Sequence, residues 1–86
     1  MKKLKNDVKL KIDKLLKDNG EMLEIIEEES GVFDRVYYNV KLKATRYISV
    51  EYHPINVTKE FIKDIEIVLS EHNVFWNNTK TTFWIE

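Results

Sequence analysis

There is no cysteine in this sequence. That excludes a disulfide framework, a thiolate zinc site and a cysteine nucleophile together. Small secreted domains commonly depend on disulfide staples, so the absence points toward the cytoplasm. Proline occurs once, at Pro54, and glycine twice, at Gly20 and Gly31. Two isolated glycines build no phosphate-cradling loop, and Ser30, Ser49 and Ser70 stand in no nucleophile-elbow context. The only histidines are His53 and His72. Neither opens a metal motif, and zinc needs three or four converging ligands. Glu27, Glu28 and Glu29 are consecutive, so their carboxylates diverge rather than flank a substrate. The sequence therefore predicts no enzyme, no cofactor and no metal.

Long hydrophobic runs are also missing. The basic start Met1-Lys2-Lys3-Leu4-Lys5 resembles the head of a signal peptide, but lysines interrupt the apolar positions through Lys17. The expectation is neither a cleaved leader nor a membrane partner. The Asn-x-Thr sequons at Asn56 and Asn77 carry no meaning without secretion.

What the sequence does hold is enough for one thin core. It has 86 residues and 10.3 kDa, with 43% hydrophobic and 34% charged residues. Those proportions fit a single globular domain over residues 1–86. The net charge of −1 conceals four blocks. Residues 1–17 carry seven lysines against Asp7 and Asp13, a net of +5. Residues 18–34 carry seven acids and no base, a net of −7. Residues 35–59 set Arg35, Lys41, Lys43, Arg46 and Lys59 against Glu51, a net of +4. Residues 60–86 set Lys63 and Lys80 against five acids, a net of −3. Such alternation predicts internal complementarity or a two-signed surface rather than one broad basic field.

Leu4, Val8, Ile12, Leu15 and Leu16 fall on one helix face, with Leu10 off the stripe and Asn19-Gly20 as the stop. Residues 21–29 read as a strand, although their glutamates suit a helix better. Ser30-Gly31 is a turn. In residues 35–43, Val36, Tyr38, Val40 and Leu42 alternate with Tyr37, Asn39, Lys41 and Lys43. In residues 46–52, Ile48, Val50 and Tyr52 alternate with Tyr47, Ser49 and Glu51. Both stretches predict strands with one wet face. Ala44-Thr45 is the expected connection, extending to residues 43–46. His53-Pro54-Ile55-Asn56 breaks the second strand, since proline cannot donate to a ladder. Thr58 caps a second helix whose stripe is Phe61, Ile65, Val68, Leu69 and His72, with Asn73 as a left-handed cap. Val74–Trp76 and residues 81–85 form a hairpin around an asparagine-rich turn. The predicted class is α+β: a small antiparallel sheet packed against two helices, in the order α-β-β-β-α-β-β.

The order α-β-β-β-α over residues 4–72 resembles that of double-stranded-RNA-binding domains. Those domains carry a basic patch at the start of the second helix. Here Thr58-Lys59-Glu60-Phe61-Ile62-Lys63-Asp64 offers two lysines with two acids, so the likeness stops at element order.

Two surface readings remain. Tyr37, Tyr47, Trp76 and Trp84 are typical material for protein-binding hot spots, because ten aromatics cannot all fit the centre of so small a core. A partner protein, met as an inhibitor or regulator of something larger, is the leading expectation. A last strand left open at its edge would let two copies pair as a homodimer or accept a partner strand. The alternative is nucleic acid, held by Lys41, Lys43, Arg46 and the lysine-rich first helix, represented by Lys9.

Overall fold

The computed structural model describes residues 2–18, 23–55 and 57–86. Two helices lie on one face of a five-stranded antiparallel sheet. The elements are α1 (Asn6–Asp18), β1 (Leu23–Ser30), β2 (Arg35–Arg46), β3 (Ser49–Pro54), α2 (Lys59–Val68), β4 (Val74–Trp76) and β5 (Thr82–Ile85). The predicted α+β order is therefore the observed one. The proposed stop at Asn19-Gly20, with residues 21 and 22, falls outside the described residues.

The long strand β2 organises the sheet. One edge pairs with β1 from Leu23↔Leu42 to Ser30↔Arg35. The other edge is shared. Its first half meets β5 at Tyr38↔Phe83 and Asn39↔Thr82, and its second half meets β3 from Lys41↔Pro54 to Arg46↔Ser49. β4 then closes on β5 through Phe75↔Trp84. The last strand thus lies between β2 and β4, and the expectation that it offers a free edge fails. Its Phe83 and Ile85 are drawn into the core, which needs strands on both sides to cover their backbone.

Side chains alternate across the pleat. The even-numbered residues Val36, Tyr38 and Val40 are buried under the helices with Phe83 and Ile85. Ile12 and Leu16 come from α1, and Phe61, Ile65 and Leu69 from α2 or its cap. Leu4 joins this core from the segment before α1, where its N–H donates to Tyr38 Oη at 2.9 Å. The strand assignment for residues 21–29 holds over the described part, for a reason the propensities conceal. Glu27 and Glu29 point to the helix side, where Lys9 and Lys3 of the first basic block meet them as ion pairs. The first two charge blocks are in this measure complementary to each other.

Three local expectations change. The β2–β3 connection is not at Ala44-Thr45 but at Tyr47-Ile48, because pairing continues to Arg46↔Ser49. Second, Ile48, Val50 and Tyr52 form no buried face. They are 103%, 48% and 45% exposed, since β3 leaves the layer that the helices cover. Third, α2 is capped at its start as expected, with Phe61 N–H donating to Thr58 Oγ1 at 3.2 Å. It ends at Leu69, however, short of Asn73. Asn73 instead accepts the Glu86 N–H through its carbonyl, which aligns Val74 opposite Ile85.

Candidate functional site

The sheet face turned away from the helices carries the odd-numbered residues of β2. At its lower end Arg35 and Tyr37 lie beside Trp84 of β5 and Phe75 of β4, because the register places Phe75 directly opposite Trp84. Tyr37 meets Trp84 edge-on at 5.5 Å between centroids, and Phe75 stacks on Trp84 at 6.1 Å. Phe33, in the turn before β2, completes the group. The Arg35 guanidinium carbon sits 4.9 Å from the Trp84 ring centroid and 5.9 Å from that of Phe33.

Arg35 is held in place by more than the rings. Its Nη2 donates to Glu86 Oε1 at 3.1 Å. The neighbouring Tyr37 side chain, and then the Glu86 charge, raise its pKa above the ordinary arginine value, against the lowering by burial. The result is a cation held among three aromatic rings on a rigid strand, with the remaining N–H donors available. Phe33 and Phe75 are 63% and 42% exposed, whereas Tyr37 and Trp84 are half-buried. The Trp84 Nε1 is enclosed and makes no hydrogen bond.

Of the four aromatics expected to bind protein, the structure brings together Tyr37 and Trp84. Trp76 does not join them. It points to the helix side, where it packs on Phe83 with 5.1 Å between centroids, so it closes the core. Tyr47 stands alone at the β2–β3 tip, 96% exposed. Reasoning from sequence missed Phe33, Arg35 and Phe75. The available signal was the period-two pattern of Phe75 against Val74 and Trp76, which places Phe75 on the outer face once the hairpin with β5 is registered.

The proposed basic set divides as well. Lys41 and Lys43 share the outer face with Tyr37, and Lys43 Nζ lies 3.9 Å from Glu24 Oε2. Arg46 falls on the opposite side of the ribbon, by its even position in β2. Lys9 is on α1 and is engaged by Glu27. No single basic face unites the four. Likewise Lys3 is engaged by Glu29. Their hydrogen bond, reinforced by Coulomb attraction, raises the lysine pKa and lowers that of the carboxylate.

A partly open cleft between α1 and the sheet is lined by Leu4, Lys9, Ile12, Asp13, Ile25, Glu27 and Tyr38. Its volume of about 150 Å³ is below the roughly 300 Å³ that small-molecule sites start from. Burial raises the Tyr38 phenol pKa there. Among the described residues no three His, Cys, Asp or Glu side chains converge on a metal position, and no helix is long and apolar enough to cross a membrane. Against known protein families, curated proteins and solved structures, the chain has no match.

Proposed function

We propose that the chain is a non-enzymatic protein-binding module that regulates a larger partner through the outer face of its sheet. The observation that carries this reading is the Phe33–Arg35–Tyr37–Phe75–Trp84 group, an aromatic patch on the face that no helix covers. Tryptophan, tyrosine and arginine are the residues that dominate binding energy in protein interfaces, and here one of each sits in contact. Their rigid mounting on paired strands lowers the entropy lost on binding. The partner that fits presents an apolar surface with a carboxylate directed at the free donors of Arg35.

The test is affinity capture from an extract of the native cell, with Phe75→Ser run alongside and with a nuclease-treated arm. The expected result is a protein retained after nuclease treatment by the natural chain and lost by Phe75→Ser, whose thermal midpoint stays close to normal. Equal retention by both chains, or retention abolished by nuclease, overturns the reading.

A further inference from the structure

The sheet ends on one side at β1, whose eight residues Leu23–Ser30 pair with β2 and with no other described strand. Val40 N–H donates to the Thr81 carbonyl at 2.9 Å, on the β5 side of β2. Main-chain groups alternate in direction along an antiparallel strand, so Tyr37, Asn39 and Lys41 turn theirs to β1. The register sets these three opposite Glu28, Ile26 and Glu24. The N–H and C=O groups of Ile25, Glu27 and Glu29 are left pointing away from the sheet. Among the described residues no hydrogen bond takes them. Residues 19–22 join Leu23 directly in the chain, and so short a link cannot return beside Glu27 or Glu29.

A row of unpaired main-chain groups is a template for another strand unless proline, a bulge or charge forbids it. β1 holds no proline, and its register runs without a bulge from Leu23↔Leu42 to Ser30↔Arg35. What it holds is glutamate. On the helix side, Glu27 and Glu29 are engaged by Lys9 and Lys3, beside the half-buried Ile25. On the outer side, Lys43 approaches Glu24 only to 3.9 Å. Glu28 meets no cation among the described residues, only the Asn39 amide at 3.5 Å. An added strand therefore meets negative charge on its outer side and a neutralised, partly apolar surface on its helix side. A second copy does not fit. When two β1 edges run antiparallel, each register of two or more residue pairs sets glutamate opposite glutamate or opposite an aliphatic side chain. The first repels, and the second leaves a carboxylate unpaired.

We infer that the free edge of β1 takes a β-strand of a partner protein in which basic residues alternate with apolar ones. The partner's main chain bonds the outward groups of Ile25, Glu27 and Glu29, and in strand addition such bonds supply the affinity while alternate side chains supply the specificity. Its basic side chains lie on the outer face beside Glu24 and Glu28. Its apolar side chains lie on the helix face beside Ile25. This edge is distinct from the Phe33–Arg35–Tyr37–Phe75–Trp84 group, and the inference does not rest on the reading proposed for that group.

The experiment is amide hydrogen exchange, read by NMR, on the full chain with and without a peptide of four Lys-Val repeats with blocked ends. With the peptide at about ten times its Kd, exchange at the Ile25, Glu27 and Glu29 amides slows about tenfold. The Ile26 and Glu28 amides, already turned to β2, change little. Glu28→Gln weakens the peptide several-fold, and a peptide of four Glu-Val repeats protects nothing. Phe75→Ser leaves the protection unchanged, which keeps this result separate from the fate of the aromatic face. Glu27→Pro removes an outward N–H that the β1–β2 ladder does not use and abolishes binding. Glu27→Gln loses the same ion pair but keeps the N–H, and retains binding. The alternating pattern in the natural chain decides even if Glu27→Pro does not fold. No protection at millimolar peptide overturns the inference. So do equal protection of odd and even residues, equal protection by the Glu-Val peptide, or protection that grows with the concentration of the chain alone.

Discussion

The guanidinium of Arg35 lies 4.9 Å from the Trp84 ring centroid while its Nη2 bonds Glu86. The contact joins the start of β2 to Trp84 and Glu86, and it holds these side chains against one another. A lysine in place of Arg35 keeps the charge but loses the planar face and the fork of donors. Arg35→Lys is therefore expected to weaken partner binding by roughly tenfold or more, with a thermal midpoint close to that of the natural chain. Calorimetric titration with the captured partner, beside a thermal melt, measures both. A variant that binds normally would remove Arg35 from the interface.

Tyr38 links stability to alkaline pH. Burial raises its phenol pKa, so above pH of about 10 the unfolded chain releases a proton that the folded chain retains. The unfolded state then binds fewer protons, and stability falls as pH rises, by up to about 1.4 kcal/mol per pH unit for this group. Tyr38→Phe is expected to flatten that decline. It also leaves the Leu4 N–H without its acceptor, at a cost of about 1–2 kcal/mol at neutral pH. Urea melts of both chains from pH 7 to 11 supply the comparison.

The β2–β3 turn carries backbone strain at Tyr47. Tyr47 alone has a positive φ in the two-residue loop, a position where glycine is preferred. Tyr47→Gly is expected to stabilise the fold by about 0.5–1 kcal/mol, as relief of the left-handed strain outweighs the added chain entropy. Denaturant melts of both chains check the sign; a destabilised variant would show that Tyr47 is not strained.

Asn77 holds the last hairpin together. Its Oδ1 accepts the N–H groups of Thr81 and Thr82 at 2.9 and 3.0 Å, and its Nδ2 donates to Thr79 and Thr81. Asn77→Ala leaves two part-buried donors unpaired and is expected to cost about 2 kcal/mol. Asn77→Asp keeps the acceptor and should cost clearly less. Equal losses in the two variants, measured by urea denaturation, would assign the effect to the donor side instead.

The periodicities of this sequence determined the class, the element order and the inward faces. Val36, Tyr38 and Val40, the Ile12–Leu16 stripe and the Phe61–Ile65 stripe point where their spacing placed them, because burial of apolar area is a local-pattern property. The Thr58 cap was legible for the same reason, since its partner is only three residues away. Tertiary structure decided the rest. The same alternation gives Ile48, Val50 and Tyr52 an apolar face, yet only the extent of β1 and the helices settles whether anything covers it. Trp76 and Trp84 look equivalent in sequence, and the β4–β5 register sends one into the core and the other to the outer sheet face. The absence of cysteine and the scarcity of glycine and histidine limited the chemistry from the start. Which aromatics and cations meet was set by strand pairing across distant parts of the chain, and no local spacing encodes it.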